Sequence, residues 1–296
     1  MLSSGSALVA LLVRLAAGAA VQSINSMIRL YGHGFVLCNP KMPHHDDTPA
    51  LPWIQADEPL PPVTQAWGSA SAAPGLLAAG QDLTAARLLE AYGQGIFPWF
   101  SPGQPVLWWS PDPRMVLTTR EFRFRRSLRQ SLKRNLLSPD FKLCFNQDFS
   151  QVIRRCACAP RSGQTGTWIV PDMVHAYENL HSLGHAHSAE VWRDGQLVAG
   201  LYFIALGHAV FGESMFTTID DGSKMALACL VSVCLRHGIQ AIDCQQNTRH
   251  LASLGAREMP RAQFIQGLEH ARSKPSVDWA GQSLYLDAFT PLDRSE

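Results

Sequence analysis

Leu197-Val198-Ala199-Gly200-Leu201-Tyr202-Phe203-Ile204-Ala205-Leu206, followed by Ala209-Val210-Phe211-Gly212-Glu213, then Ser223 to His237 and Ile239-Gln240-Ala241-Ile242-Asp243, decides the fold. The first run reads as a strand joined to His187–Trp192 by Asp194-Gly195, a two-residue hairpin turn. Ala209–Glu213 is a further strand, Ser223–His237 a long helix and Ile239–Asp243 a final strand. Antiparallel strands leading into a strand-helix-strand unit specify an α+β (α/β) domain with a mixed, mainly antiparallel sheet.

Working upstream, Pro171 opens a helix that Gly184 closes, Asp148–Ala157 is a helix, and Phe141–Phe145 a strand. Arg125–Leu136 is a helix with a thin apolar line at Leu128, Leu132 and Leu136 and a mostly basic remainder. Before the Pro111-Asp112-Pro113 turn, Ile96–Phe100 and Val106–Trp109 read as a hairpin. A helix starts near Thr84 with Leu83 and Leu88 as a hydrophobic staple and ends at Gly93 and Gly95. Pro43 to Pro74 is Pro-rich, extended and irregular, pinned at most by Trp53, Ile54 and Leu60. The expected organisation is a leader over 1–41, disordered or not translated, with Met42 as the true start; an extended segment over 42–74; a small N-terminal domain over 75–113; a catalytic domain over 114–280; and a tail over 281–296. The apolar stretch Ala7–Val21 contains Arg14 and is too short for an ordinary spanning helix of about 20 residues.

A chain of 296 residues with 46% hydrophobic and 17% charged residues is a globular protein, not a disordered one. Its net charge of +1 hides a local asymmetry. From Arg114 to Lys142, Arg114, Arg120, Arg123, Arg125, Arg126, Arg129, Lys133, Arg134 and Lys142 outweigh Glu121 and Asp140, an excess of +7. Such a segment suits a polyanion. Seven cysteines without regular spacing suit a reducing cytoplasm. Cys156-x-Cys158 near His175, His181, His185 and His187 lacks a second Cys pair, so no metal is expected.

Glu213 and Asp243 stand at the ends of apolar strands, where a carboxylate costs several kcal/mol unless it is hydrogen-bonded, paired or waiting for a cation. Gln245 follows Asp243 by two positions, so the two share a face if the strand geometry continues.

These residues, with Gly95-Ile96-Phe97-Pro98-Trp99-Phe100-Ser101-Pro102-Gly103, Trp108-Trp109-Ser110-Pro111-Asp112-Pro113-Arg114, Gly166-Thr167-Trp168-Ile169 and His250-Leu251-Ala252-Ser253-Leu254-Gly255-Ala256, make the chain resemble the bacterial leucyl/phenylalanyl-tRNA–protein transferases, in order from about Gly75 to about Arg272. The resemblance implies a GNAT-like fold, shared with the peptidyl transferases that build peptidoglycan cross-bridges. It implies transfer of Leu or Phe, and less readily Met, from aminoacyl-tRNA to the α-amine of proteins beginning with Arg or Lys, marking them for N-end-rule degradation. No cofactor is implied, because an activated ester becomes an amide. It assigns the Gln245 carbonyl to orienting the amine, Asp243 to polarising Gln245, and Glu213 to a positive charge, the alternative for Glu213 being an internal pair with an arginine such as Arg249. Trp99 and Trp168, with Tyr92 close behind, would flank the terminal adenosine. Leu201, Phe211, Ser214, Met215 and Phe216 would accept the aminoacyl group. Arg123, Arg125, Arg126, Arg129, Lys133, Arg134 and Lys224 would meet the tRNA backbone. A cytoplasmic monomer with no membrane partner is expected. The competing readings are an acyl-CoA-dependent N-acyltransferase and a non-catalytic binder of tRNA or of N-terminal degradation signals.

Overall fold

The computed structural model describes residues 50–159 and 169–289. The expectations for the leader, for Met42, for Trp168 and for the last seven residues therefore lie outside the described residues. The first unit is a four-stranded sheet of order β1-β2-β4-β3, made of β1 (Trp53–Ile54), β2 (Leu76–Gly80), β3 (Phe97–Pro98) and β4 (Val106–Trp109), with helix α1 (Ala85–Gly93). α1 is capped by Thr84, whose side chain accepts from the Arg87 N–H. β2 was not foreseen. All five of its residues are buried, so it has no alternation to read, and a short apolar run without period carries little strand signal.

Part of the Pro-rich segment is also more ordered than expected. β1 pairs in parallel with β2, Trp53 opposite Ala79. Arg87, 5% exposed, donates to the carbonyls of Gln55, Ala56 and Glu58 and forms ion pairs with Asp82 and Glu90. A buried guanidinium with five acceptors holds this segment against α1 more firmly than the apolar contacts of Trp53, which is 42% exposed.

The second unit is a seven-stranded sheet of order β11-β5-β10-β9-β8-β7-β6. Its strands are β5 (Arg114–Thr118), β6 (Phe141–Phe145), β7 (Ala186–Arg193), β8 (Gln196–Leu206), β9 (Ala209–Thr217), β10 (Ala241–Gln245) and β11 (Arg257–Met259). The Asp194-Gly195 turn has φ of 51° and 70°, as a tight hairpin requires. Every neighbouring pair is antiparallel except β9 and β10, which run parallel because a helix, α5 (Gly222–Arg236), connects them. The expected final strand is shifted to Ala241–Gln245 and is not the last; β11 and helix α7 (Arg261–Arg272) follow it. The mixed, mainly antiparallel α+β architecture stands as expected.

Each sheet face carries its own core. On one face the first unit, α3 (Phe149–Cys158) and α4 (Pro171–Ser182) pack around Tyr92, Phe149, Tyr177, Tyr202 and Phe211. On the other, α2 (Arg126–Asn135) and α5 pack around Leu128, Leu132, Phe203, Met225 and Leu230. α5 is apolar on all sides, with Met225 to Cys234 buried without a break, because it lies between the sheet and a C-terminal segment that contributes Val277, Trp279, Leu284, Tyr285 and Phe289. α7 joins the two units: Arg261 donates to the Ser110 carbonyl and Arg272 to the Gly93 carbonyl.

Candidate active site

β9 holds the first polar residue of the site through an irregularity. Tyr202 pairs with Ser214 and Phe203 with Gly212, so Glu213 is an extra residue without a partner on β8. The bulge reverses the alternation along β9. Phe211 and Phe216 consequently share one core, while Met215 packs against the other. Glu213 turns toward the first unit, where its Oε1 accepts from the Tyr92 hydroxyl at 2.7 Å and its Oε2 lies 3.4 Å from the Tyr177 hydroxyl. The two phenols also hydrogen-bond each other. Burial pushes the Glu213 carboxyl up to about 8, and the neighbouring Asp243 charge adds to the rise against the lowering effect of the hydroxyls and Arg114. Burial, then the Glu213 charge, raises both tyrosines well above their usual value. Glu213 is met by these phenols and by the Gln245 amide, not by an arginine.

Asp243 meets its burial problem differently. Both of its oxygens accept from Arg114 of β5, from Nε at 2.9 Å and Nη2 at 2.7 Å, and the two side chains are 1% and 2% exposed. Arg114 is thus a core residue and not part of the basic surface to which the charge count assigned it. Strand geometry does not continue to Gln245 as expected. The pairing with β5 shifts between Asp243 and Gln245, and Gln245 adopts φ of 62°. Its N–H donates to Asp243 Oδ1 at 2.8 Å, and its Nε2 donates to Glu213 Oε1 at 2.8 Å, which turns its carbonyl oxygen away from that carboxylate. Glu213, Asp243 and Gln245 therefore form one connected group through a turn in the backbone, not a shared strand face.

β9 and β10 pair only as far as Phe211 and Asp243 and then diverge. A cavity of about 240 Å³ opens there, lined by Leu201, Glu213, Ser214, Met215, Leu227, Leu230, Ile242, Cys244, Thr248, His250 and Leu251. Leu201, Ser214 and Met215 are on its wall as expected; Phe211 and Phe216 are not, because the bulge sends them into the opposite core. Burial, then the Asp243 charge, pushes the Cys244 thiol up to about 12, so it stays protonated. Leu227, Leu230, Ile242 and Cys244 are further lining residues that carry no sequence signal beyond being apolar. A larger cavity of about 610 Å³ lies under α7, between Val116, Phe211, Asp243 and Phe264; Glu213 lines only the smaller cavity and Gln245 lines neither.

A family model described as leucyl/phenylalanyl-tRNA protein transferase matches residues 116–269, and one described as the N-terminal domain of the same family matches residues 81–112. The chain belongs to this family. A leucyl/phenylalanyl-tRNA–protein transferase of Polaromonas sp. is 56% identical over 235 residues, 79% of this chain and 92% of that one. Another, of Burkholderia multivorans, is 51% identical over 240 residues, 81% of this chain and 94% of that one. Among solved structures, L-PGS from Bacillus licheniformis aligns with 9% identity and a TM-score of 0.32 over 59% of this chain and 56% of that chain, too distant to bear on the fold.

In this transferase chain the remaining expected residues are spread out. Trp99 is half-buried, its carbonyl accepts from Trp109 Nε1 at 2.7 Å, and the two rings lie 5.4 Å apart. Tyr92 is fully buried and offers no face to a base; its link to the site is its hydroxyl on Glu213. Arg125 and Arg123 reach the carbonyls of Ser253 and Ala252 at the end of the short helix α6 (Arg249–Ser253). Arg129 lies over the Phe124 ring. Arg126, Lys133 and Arg134 are exposed on the side of α2 away from Leu128 and Leu132. Lys224 pairs with Asp221 at 2.7 Å at the start of α5. Among the described residues no helix is long and apolar enough to cross a membrane.

Proposed function

We propose that this chain moves Leu or Phe, and Met less readily, from aminoacyl-tRNA to the α-amine of cytoplasmic proteins beginning with Arg or Lys, marking them for degradation. The observation that carries the reading is the apolar cavity that reaches Glu213, whose carboxyl oxygen also accepts from the Gln245 amide, in a chain of this family. Its volume of about 240 Å³ lies below the ~300–1,000 Å³ of drug-sized sites and suits one amino-acid side chain. The amine nitrogen attacks the ester carbonyl, the bond to the ribose oxygen breaks, the amine gives up a proton and the ribose leaves as its hydroxyl. The Gln245 carbonyl, directed away from Glu213, orients the amine. A neutral amide is a poor base, so Gln245 serves geometry and not proton removal. Glu213 receives the cationic group of a substrate, whose charge favours the ionised carboxylate, the proton passing to water. Trp99 stacks on the terminal adenosine, joined by Trp168, and Arg123, Arg125, Arg126, Arg129, Lys133 and Arg134 follow the tRNA backbone. Lys224 joins them only by leaving Asp221.

An acyl-CoA donor would need a backbone cradle for its pyrophosphate at a helix start, and at the start of α5 the residue before the helix is the acidic Asp221, paired with Lys224. The test is transfer of radiolabelled leucine from leucyl-tRNA to an Arg-initiated peptide. Transfer abolished by prior ribonuclease treatment of the donor is expected. Transfer from leucyl-CoA but not leucyl-tRNA would overturn the reading.

A further inference from the structure

Arg114 falls between the two spans that the family models match, yet it touches both units. We propose that Arg114 is a positioning residue for the transfer step, registering the Gly95–Trp99 segment of the first unit against Gln245 by holding the Gly95 carbonyl and the Asp243 carboxylate at once. Its Nη1 donates to Gly95 O at 3.0 Å while Nε and Nη2 hold Asp243. The rings of Phe97 and Phe264 lie 4.9 and 4.8 Å from its guanidinium carbon and fix the plane. A planar fork sets three directions together, which a lysine ammonium does not.

Two backbone features make that registration consequential. Gln245 holds a left-handed φ of 62°, a conformation that a non-glycine residue keeps only when its surroundings impose it, and the bond from its N–H to Asp243 Oδ1 is what imposes it. Gly95 has φ of 73°, and a Cβ there would lie 2.4 Å from Ile265 Cδ1, so the segment leading to Trp99 sits directly on α7. A buried ion pair adds little net stability over apolar packing, which leaves fixed geometry as the use of this one. The chain of contacts from Gly95 through Arg114 and Asp243 to Gln245 sets the distance between the surface assigned to the terminal adenosine and the amide assigned to the amine. The inference rests on those assignments of Trp99, Asp243 and Gln245.

The experiment measures kcat, the KM for leucyl-tRNA and Tm for Asp243→Asn, Gln245→Ala, Arg114→Lys and the double variant Arg114→Gln/Asp243→Asn. Arg114→Lys is expected to lower kcat about 10- to 100-fold, the effect of a misplacement on the order of 1 Å, with the KM for leucyl-tRNA unchanged. The double variant removes both buried charges together and should lose no more kcat than Asp243→Asn alone, because both changes cut one path. It carries the test by itself if Arg114→Lys does not fold. Wild-type kcat in Arg114→Lys beside a defective Asp243→Asn, multiplied losses in the double variant, or a loss of kcat that only follows the loss of folded protein would overturn the proposal. Near-normal kcat in both Asp243→Asn and Gln245→Ala would overturn the catalytic assignment itself, and this proposal with it.

Discussion

Glu213 keeps its proton into neutral pH because the cost of burial outweighs the hydroxyl and amide donors around it. Its carboxyl ionises near 4.5 when unfolded and at about 8 when folded. Between these values the native state binds a proton that the unfolded chain has released, so this residue's contribution is fully present below 4.5, declines as the pH rises, and is level above about 8. Glu213→Gln should therefore raise Tm relative to wild type by an increment that grows from about pH 5 to about pH 9. An increment constant over that range in calorimetry would mean that the carboxylate is already ionised at neutral pH. The polar members of the site were legible in the sequence, since Glu213, Asp243 and Gln245 interrupt apolar strands. Their partners were not. Arg114 is 129 positions from Asp243 and Tyr92 is 121 from Glu213, and no local pattern links residues so far apart.

Among the elements, β9 shows how one inserted residue redirects a whole strand. The expected pocket grouped Phe211, Met215 and Phe216 by their apolar character, and the bulge at Glu213 places Phe211 and Phe216 in the far core while leaving Met215 at the cavity. β2 and β5 escaped sequence reading for a different reason: Leu76–Gly80 and Arg114–Leu117 are buried on both faces and carry no period. α2 was readable because its narrow apolar line leaves the basic positions on one side. Arg129 and Arg125 are engaged with Phe124 and Ser253, so Arg126, Lys133 and Arg134 are the cleaner probes. Reversing these three to Glu should weaken tRNA binding and reduce its salt slope by about one unit for each phosphate that is no longer neutralised. Turnover of a minimal aminoacyl-adenosine should be unchanged. Equal losses on both substrates would assign the helix to folding instead.

In the whole molecule, the two units share the core around Tyr92, Tyr177 and Phe211 and are tied further by arginine contacts from Arg114, Arg261 and Arg272 to backbone carbonyls of the first unit. The two-unit α+β plan was readable from hairpin turns and helix punctuation, whereas residues 281–296 read only as a tail. Leu284, Tyr285 and Phe289 of that stretch instead extend the outer cover of α5 begun by Trp279, which is 2% exposed and lies 4.8 Å from the Phe203 ring, and the Tyr285 N–H donates to Ser232 Oγ at 3.1 Å. Ending the chain after Pro275 should uncover the face of α5 around Ser232 and Arg236 and the core residues beneath Trp279, increase binding of a hydrophobic dye and lower Tm by several degrees. Wild-type Tm and dye binding in the truncated chain would show the cover to be dispensable. On the ribosome, residues 222–236 emerge well before residues 277–289, so during synthesis a helix with no polar side waits for the last part of the chain to be made. The interval between the two should make this protein's soluble yield depend on translation speed and on chaperones that shield newly made helices, which synonymous codon changes between residues 237 and 277 would reveal.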